Sequence, residues 1–370
     1  MPTTQRKPYH NKNPLPPLNN IKKKFLEGSF PLDFADFMRQ ALYHPQYGYY
    51  HQNKPIIGNL GDFITAPEIS PLFSQCLGNA IISYTQQKKS SLKEFCLLEL
   101  GAGNGTMAFD LLYHWNQMGK RPKKYQILEL SAPLRENQKK KLQQLPDEIL
   151  STVEWIDQLP PKVDKRIIIA NEVVDALPCS IGSTLYLDNQ WWWSARKVDY
   201  QQQQFLWIDE QPKPSLPEEI DESFCQHKRI IEIPQHLSAW LSALRQTMDN
   251  GLMLLIDYAD YDTALKHSHP NGTLRCYHQH SVHTNPLINI GNQDITYHLN
   301  IDLLASQLKK ANWCLDSVQT QAHFLLNNGI QDINMETLKD QQRWQLANQI
   351  QQLTSPSGMG ERYKLLMVSC

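Results

Sequence analysis

No run of apolar residues in this 370-residue chain approaches the roughly 18 needed to cross a bilayer, so no inserted membrane segment is expected. The chain also lacks any CxxC pair. Its cysteines (Cys76, Cys96, Cys179, Cys225, Cys276, Cys314, Cys370) are scattered singly and odd in number, which argues against a disulfide framework or a zinc site and for a reducing compartment. An excess of one charge sign is missing too. Lys and Arg total 36 against 37 Asp and Glu, a net charge of -1, so no global field draws the chain to nucleic acid. The one basic run, Lys22-Lys23-Lys24, reads as a solvated helix face. The N-terminus has no hydrophobic core and so is no secretory signal; it has no acid before Glu27, but prolines and scarce arginine spoil a mitochondrial leader. Residues 1–20 read as a disordered lead-in. The expected location is bacterial cytoplasm, or the mitochondrial matrix if the source is eukaryotic.

What is present is an alternation. A helical region spans about 21–90, with helix-spaced apolar residues at 30–43 and 70–87 around a Gly/Pro-rich connection at 53–70. From 91 onward short apolar strands alternate with helices: strands at 95–100, 125–130, 153–156, 166–172 and 252–258, helices at 106–118 and 132–145. That pattern predicts an α/β fold with a mostly parallel sheet in one domain, 91–370. Two insertions interrupt it. About 178–250 begins as an aromatic β-meander with a polyglutamine tip at Gln201–Gln204, and 259–300 is a long connection rich in His, Asn and Gly. In a strand, successive side chains of Trp191-Trp192-Trp193 face opposite ways, so packing explains them better than a stacking platform. At the C-terminus, segment 313–326, a helix at 336–353 and strand 362–369 follow, and a terminal hairpin is expected to close the sheet.

The informative motif is Glu99-Leu100-Gly101-Ala102-Gly103-Asn104-Gly105, directly between a strand and a helix. Gly101, Gly103 and Gly105 let the backbone turn tightly and a ligand approach it closely. A dinucleotide fingerprint would read G-x-G-x-x-G; here the third glycine comes one residue early and Thr106 stands in its place. No Lys-Ser or Lys-Thr follows, which excludes a phosphate loop of the G-x-x-x-x-G-K-[ST] type. An acid at Glu99 suits a cationic ligand. S-adenosylmethionine carries a sulfonium and an ammonium and no phosphate, so it is the expected cofactor. Glu129, at the end of the next strand, is placed to accept from ribose hydroxyls, though a carboxylate at a helix N-terminus is also favoured by the dipole alone.

The fourth strand ends in Asn171, Glu172 and Asp175, polar groups that are costly after an apolar run unless used or paired. A carboxylate pair there can hold a guanidinium bidentately and accept the proton released as nitrogen attacks. Glu172 is the first candidate and Asp175 the second; a structural pair with a neighbouring base is the alternative. The late histidines (His267, His269, His278, His280, His283, His298) match no fixed metal-ligand spacing, and no metal is expected.

With these residues in view, the chain resembles the MidA-like family of S-adenosylmethionine-dependent methyltransferases, which includes the mitochondrial complex I assembly methyltransferase. The resemblance rests on ALYHPQYGYY (41–50), GDFITAPEIS (61–70), LLELGAGNGT (97–106), ANEVVDALP (170–178), LLIDY (254–258), GTLRCYHQH (272–280) and MGERYKLL (359–366). It implies a class I, Rossmann-like methyltransferase fold with a seven-stranded sheet, and an arginine of a complex I subunit-like protein as methyl acceptor. Asp62, Thr65, Pro67 and Glu68 would line the active-site mouth near the cofactor. Two departures, FSQ at 73–75 for the family's FGE and Asn300 for an acid, imply altered specificity if those positions touch substrate. A cofactor-binding assembly chaperone, a small-molecule methyltransferase and a nicotinamide-dependent oxidoreductase are the competing readings.

Overall fold

The computed structural model describes residues 29–52, 54–58, 61–332 and 338–370. The expected lead-in at 1–20, the Lys22–Lys24 run and the first residues of the helix expected at 336 lie outside them.

Seven strands form the central sheet: β1 (Cys96–Leu100), β2 (Lys124–Leu128), β3 (Val153–Ile156), β4 (Val163–Asn171), β5 (Met248–Asp260), β6 (Cys314–Thr320) and β7 (Tyr363–Ser369). Their order is β3-β2-β1-β4-β5-β7-β6, with β7 antiparallel to both neighbours and the first five parallel. This is the class I methyltransferase sheet. The chain order reverses between β1 and β4, and in such sheets ligands bind at the carboxyl ends of the strands beside that switch point. The expected closing hairpin is therefore an antiparallel pair, but helices Gln321–Asn327 and Asp340–Thr354 intervene between its strands.

The strands are apolar throughout because both faces are covered. Ile167 and Ile169 point into one core, with α2 (Pro71–Gln87) and α3 (Thr106–Gln117); Ile168 and Ala170 point into the other, with α1 (Phe34–Tyr43) and the meander. Helix starts are capped as the sequence suggests. Asp33 accepts from Ala35 N at 2.9 Å, and Ser131 opens α4 (Ala132–Leu142) by accepting from Leu134 N at 3.4 Å.

The meander is an antiparallel sheet of Cys179–Leu187, Gln190–Gln201, Gln204–Asp209 and Arg229–Pro234, joined at its edge by Leu32–Asp33. Gln201 pairs with Gln204 across a two-residue turn in which Gln202 and Gln203 both have positive φ, the backbone a tight hairpin requires. Trp193 lies over Gly182, where an added Cβ would come 2.2 Å from its ring, and Trp191 packs edge-on against Tyr186. The connection at 259–300 is more ordered than its composition suggests. It holds helix Asp262–Ser268 and a three-stranded antiparallel sheet of Arg275–His278, Ser281–His283 and Asp294–Thr296. Strands of three or four residues alternate too few times to register as strands in a sequence.

Candidate active site

A cavity of about 550 Å³ opens at the carboxyl ends of β1, β2, β4 and β5. Its roof comes from outside the sheet. The segment around Asp62 and the hairpin at 275–283 meet over it, and Asp62 is the joint: its carboxylate accepts from Tyr49 Oη at 2.9 Å, Lys54 Nζ at 3.3 Å and Gln279 N at 2.7 Å.

The glycine turn forms one wall. Gly101 and Gly103 line the cavity with φ of +62° and +54°, in the left-handed region that favours glycine. Gly105 does not line it. Its Cα faces Gln138 and Leu142 of α4, so its role is helix packing and a left-handed entry into α3. Asn104 ties the turn to the roof by donating to Ile57 O at 3.1 Å.

Glu99 and Glu129 stand on either side of this turn, both buried and both on the cavity wall. Glu99 accepts from Tyr125 Oη at 2.7 Å through one oxygen, while the other, Oε1, has no partner. Burial pushes its carboxyl up to about 7, against the Tyr125 bond and with help from the charge of Glu129. Glu129 follows β2 directly, accepting from Ser131 N and Gln138 Nε2, each at 2.9 Å. Burial raises it as well, with those bonds opposing. Thr65, Pro67 and Glu68 complete this side, with Glu68 accepting from Thr106 Oγ1.

Opposite them lies the end of β4. Glu172 sits at φ +52°, a conformation non-glycine residues rarely adopt, and its N–H is fixed to Ile256 O at 2.8 Å. Its carboxylate accepts from Asn171 Nδ2 at 3.4 Å and Tyr363 Oη at 3.1 Å. Burial and the nearby Asp257 push it up to about 8. Asp175 is raised well above the usual carboxylate range by burial and by Asp257, Asp294 and Glu172. Asp257, near the carboxyl end of β5, holds the turn that presents both: its Oδ2 accepts from Val174 N and Asp175 N, each at 3.1 Å. Asp294 reaches the same space from the small sheet, bonded to Tyr50 Oη at 2.7 Å and raised to about 6 by burial.

Of the twelve residues expected to form the site, all but Gly105 line this one cavity. Asp257, Gln138 and Tyr363 were not among them. An acid closing an apolar strand was the signal for Glu129 and applies equally to Asp257; Gln138 and Tyr363 reach the site by side-chain geometry that no spacing encodes. Neither family departure touches the cavity. Residues 73–75 lie on α2, and Asn300 caps Ile301–Lys310 by accepting from Asp302 N and Leu303 N while donating to Asp262 at 2.7 Å. Of the late histidines, His269 and His298 pack edge-to-face with ring centroids 5.2 Å apart, and among the described residues no three His, Cys, Asp or Glu side chains group as metal ligands.

The cavity's ionisable lining is predominantly acidic. Asp62, Glu68, Glu99, Glu129, Glu172, Asp175 and Asp294 line it, and among the described residues no lysine or arginine does. Its buried unpartnered polar atoms are all acceptors: Glu99 Oε1, Asn171 Oδ1 and Asp175 Oδ1. A site of this kind suits a ligand rich in N–H and O–H donors and positive charge, and disfavours a phosphate.

Comparison with known proteins agrees with that chemistry. Residues 76–319 match the family described as "Putative S-adenosyl-L-methionine-dependent methyltransferase". The chain belongs to this family, the MidA-like methyltransferases. Its members' cofactor is S-adenosylmethionine. A solved relative from Burkholderia thailandensis, bound to S-adenosyl-homocysteine, is 26% identical and superposes with a TM-score of 0.83 over 96% of this chain and 95% of its own. Among curated proteins, the mitochondrial protein arginine methyltransferase NDUFAF7 of Danio rerio is 28% identical over 91% of this chain and 83% of its own length. The Homo sapiens protein of the same name is 28% identical over 95% and 83%. No helix among the described residues is long and apolar enough to cross a membrane.

Proposed function

We propose that this protein transfers a methyl group from S-adenosylmethionine to an arginine side-chain nitrogen of a protein partner. The observation that carries the reading is the cavity's seven carboxyl groups, of which, among the described residues, only Asp62 has a lysine partner (Lys54, itself outside the lining), with three buried acceptor oxygens left unpaired. The names of the curated relatives support an arginine acceptor, and the complex I subunit type implied by the family resemblance is the candidate partner.

The residues present fit the cofactor. Gly101 would leave room for it along the main chain, the unpartnered oxygen of Glu99 would be available to its ammonium, and Glu129 would accept from its ribose hydroxyls. Asp62, Thr65, Pro67 and Glu68 wall the mouth beside it. The cofactor, when bound, supplies an electrophilic methyl group on a sulfonium. Glu172 and Asp175 hold the acceptor guanidinium, whose own pKa lies above ~12. A guanidinium nitrogen that takes up the methyl group must give up a proton, and Glu172 would be the group placed to receive it. Glu172 must be ionised to take that proton, and once ionised a carboxylate whose value is raised toward 8 is a stronger base than an ordinary glutamate. Asn171 orients it, and the tyrosines of the wall (Tyr50, Tyr258, Tyr277) offer faces and hydroxyls to a planar cation.

Calorimetric titration with S-adenosyl-homocysteine and with NAD tests the cofactor. Heat is expected with the first alone, and its absence sinks the reading. Transfer of a labelled methyl group to proteins of a cell extract, followed by hydrolysis, tests the acceptor. Methylarginine is expected. Cofactor binding with no labelled protein would replace the arginine reading by a small-molecule acceptor or a scaffold without turnover.

A further inference from the structure

Tyr363, within the segment 359–366, has no part in the chemistry above, yet it delivers a hydroxyl to the carboxylate proposed to accept the proton. It opens β7 directly opposite Tyr258 of β5 and is buried to 1% exposure. Its ring lies 4.1 Å from that of Tyr258, which lines the cavity. Its Oη donates to Glu172 Oε2 at 3.1 Å, while Asn171 Nδ2 approaches Oε1 at 3.4 Å. Each carboxylate oxygen therefore has its own donor, and the plane of the group is fixed. Phenylalanine would fill the same space; what tyrosine adds is the buried hydroxyl, which is costly unless paired.

We propose that Tyr363 is a positioning residue for methyl transfer, its hydroxyl fixing the orientation of Glu172 and favouring the ionised carboxylate. The proposal rests on the reading of Glu172 as proton acceptor. The groups facing Glu172 come from every side: Asn171 from β4, Asp257 and Tyr258 from β5, Asp175 from the turn between, Asp294 and Tyr277 from the small sheet, and Tyr363 from β7. Asp257 and Asp294 oppose its ionisation, and Tyr363 and Asn171 favour it. A hydrogen bond donated to the charged form lowers a carboxyl's pKa, so removing it moves the titration upward.

The test uses the full chain with carbon-13 at glutamate carboxyl carbons, titrated by NMR, with E172Q assigning the resonance. In Y363F, which keeps the ring and its packing, the Glu172 midpoint is expected to rise by about half a unit or more. The same variant should bind S-adenosyl-homocysteine within about twofold of wild type, since Tyr363 does not line the cavity. Its kcat should fall about tenfold with KM nearly constant, and the acid limb of its pH profile should move up with the midpoint. An unchanged midpoint overturns the proposal, as does a midpoint that moves while kcat and its acid limb stay put. A wild-type protein that binds cofactor but methylates nothing sinks the acceptor reading instead, and the NMR midpoint then decides alone whether Tyr363 governs Glu172.

Discussion

Gln138 donates to Glu129 Oε2 at 2.9 Å, and the same amide nitrogen donates to the carbonyl of Gly103 at 2.9 Å. Its oxygen in turn accepts from Trp155 Nε1 at 3.1 Å. One fully buried side chain on α4 thus sets the distance between the glycine turn and the acid proposed to hold the ribose. Gln138→Leu keeps the volume and removes both donors, leaving a buried carboxylate short of a partner at a cost of about 1–3 kcal/mol. Tm should fall by several degrees, and affinity for S-adenosyl-homocysteine should drop about tenfold or more. Calorimetry reads both, and wild-type affinity in a destabilised variant would mean that Gln138 supports the fold alone.

Gly101 gives a sharper separation of fold from binding. A Cβ there would meet only Val173 Cγ2, at 3.5 Å, so the protein itself has room, but φ is +62° and the position faces the cavity. Gly101→Val should lower Tm modestly, by the ~1–2 kcal/mol that a left-handed L-residue costs. It should also lose S-adenosyl-homocysteine binding altogether. Retained binding would remove the turn from the cofactor site.

How much of this was legible in the sequence depends on where each signal resides. β3 is found where its apolar residues place it, but β4 begins at Val163 rather than 166, because its polar start is held by pairing with Met248 and Asn250 of β5. Backbone pairing of this kind leaves no mark in hydropathy. The glycine spacing located the turn but could not separate Gly101 and Gly103, which face the cavity, from Gly105, which faces a helix. Both uses demand a missing side chain and a positive φ. Asn300 stood out as a departure from family pattern, and its physics is a helix cap.

The raised carboxyls make stability depend on pH in an unusual direction. Glu172 near 8, with Glu99 and Asp257 near 7, hold protons in the folded state that an unfolded chain, with carboxyl values near ~4, releases. Stability from these groups is complete below the unfolded value and is lost as pH rises through the folded ones, so without cofactor it should decline between about pH 4.5 and 8. Tm measured at pH 6, 7 and 8.5 should fall across the series. Glu172→Gln, which cannot ionise, should show a shallower decline at the alkaline end while turnover drops about a hundredfold or more. Parallel declines in the two proteins would mean that Glu172 is not buried as a neutral acid.

Glu99 couples the same protons to ligand binding. With its carboxyl near 7, a large share of the free protein carries a neutral Glu99 at pH 6.5, its Oε1 unpartnered. An ammonium group arriving there favours the ionised form, and the proton must leave for solvent. Titration with S-adenosyl-homocysteine at pH 6.5 should therefore give different heats in phosphate and in Tris, whose ionisation enthalpies differ, corresponding to release of about half a proton or more. Glu99→Gln should remove most of that buffer dependence and weaken binding about tenfold or more, since it retains the shape but not the charge. Equal heats in both buffers for the wild type would show that the ligand's cation lies elsewhere, and Glu99 would then be a structural partner of Tyr125.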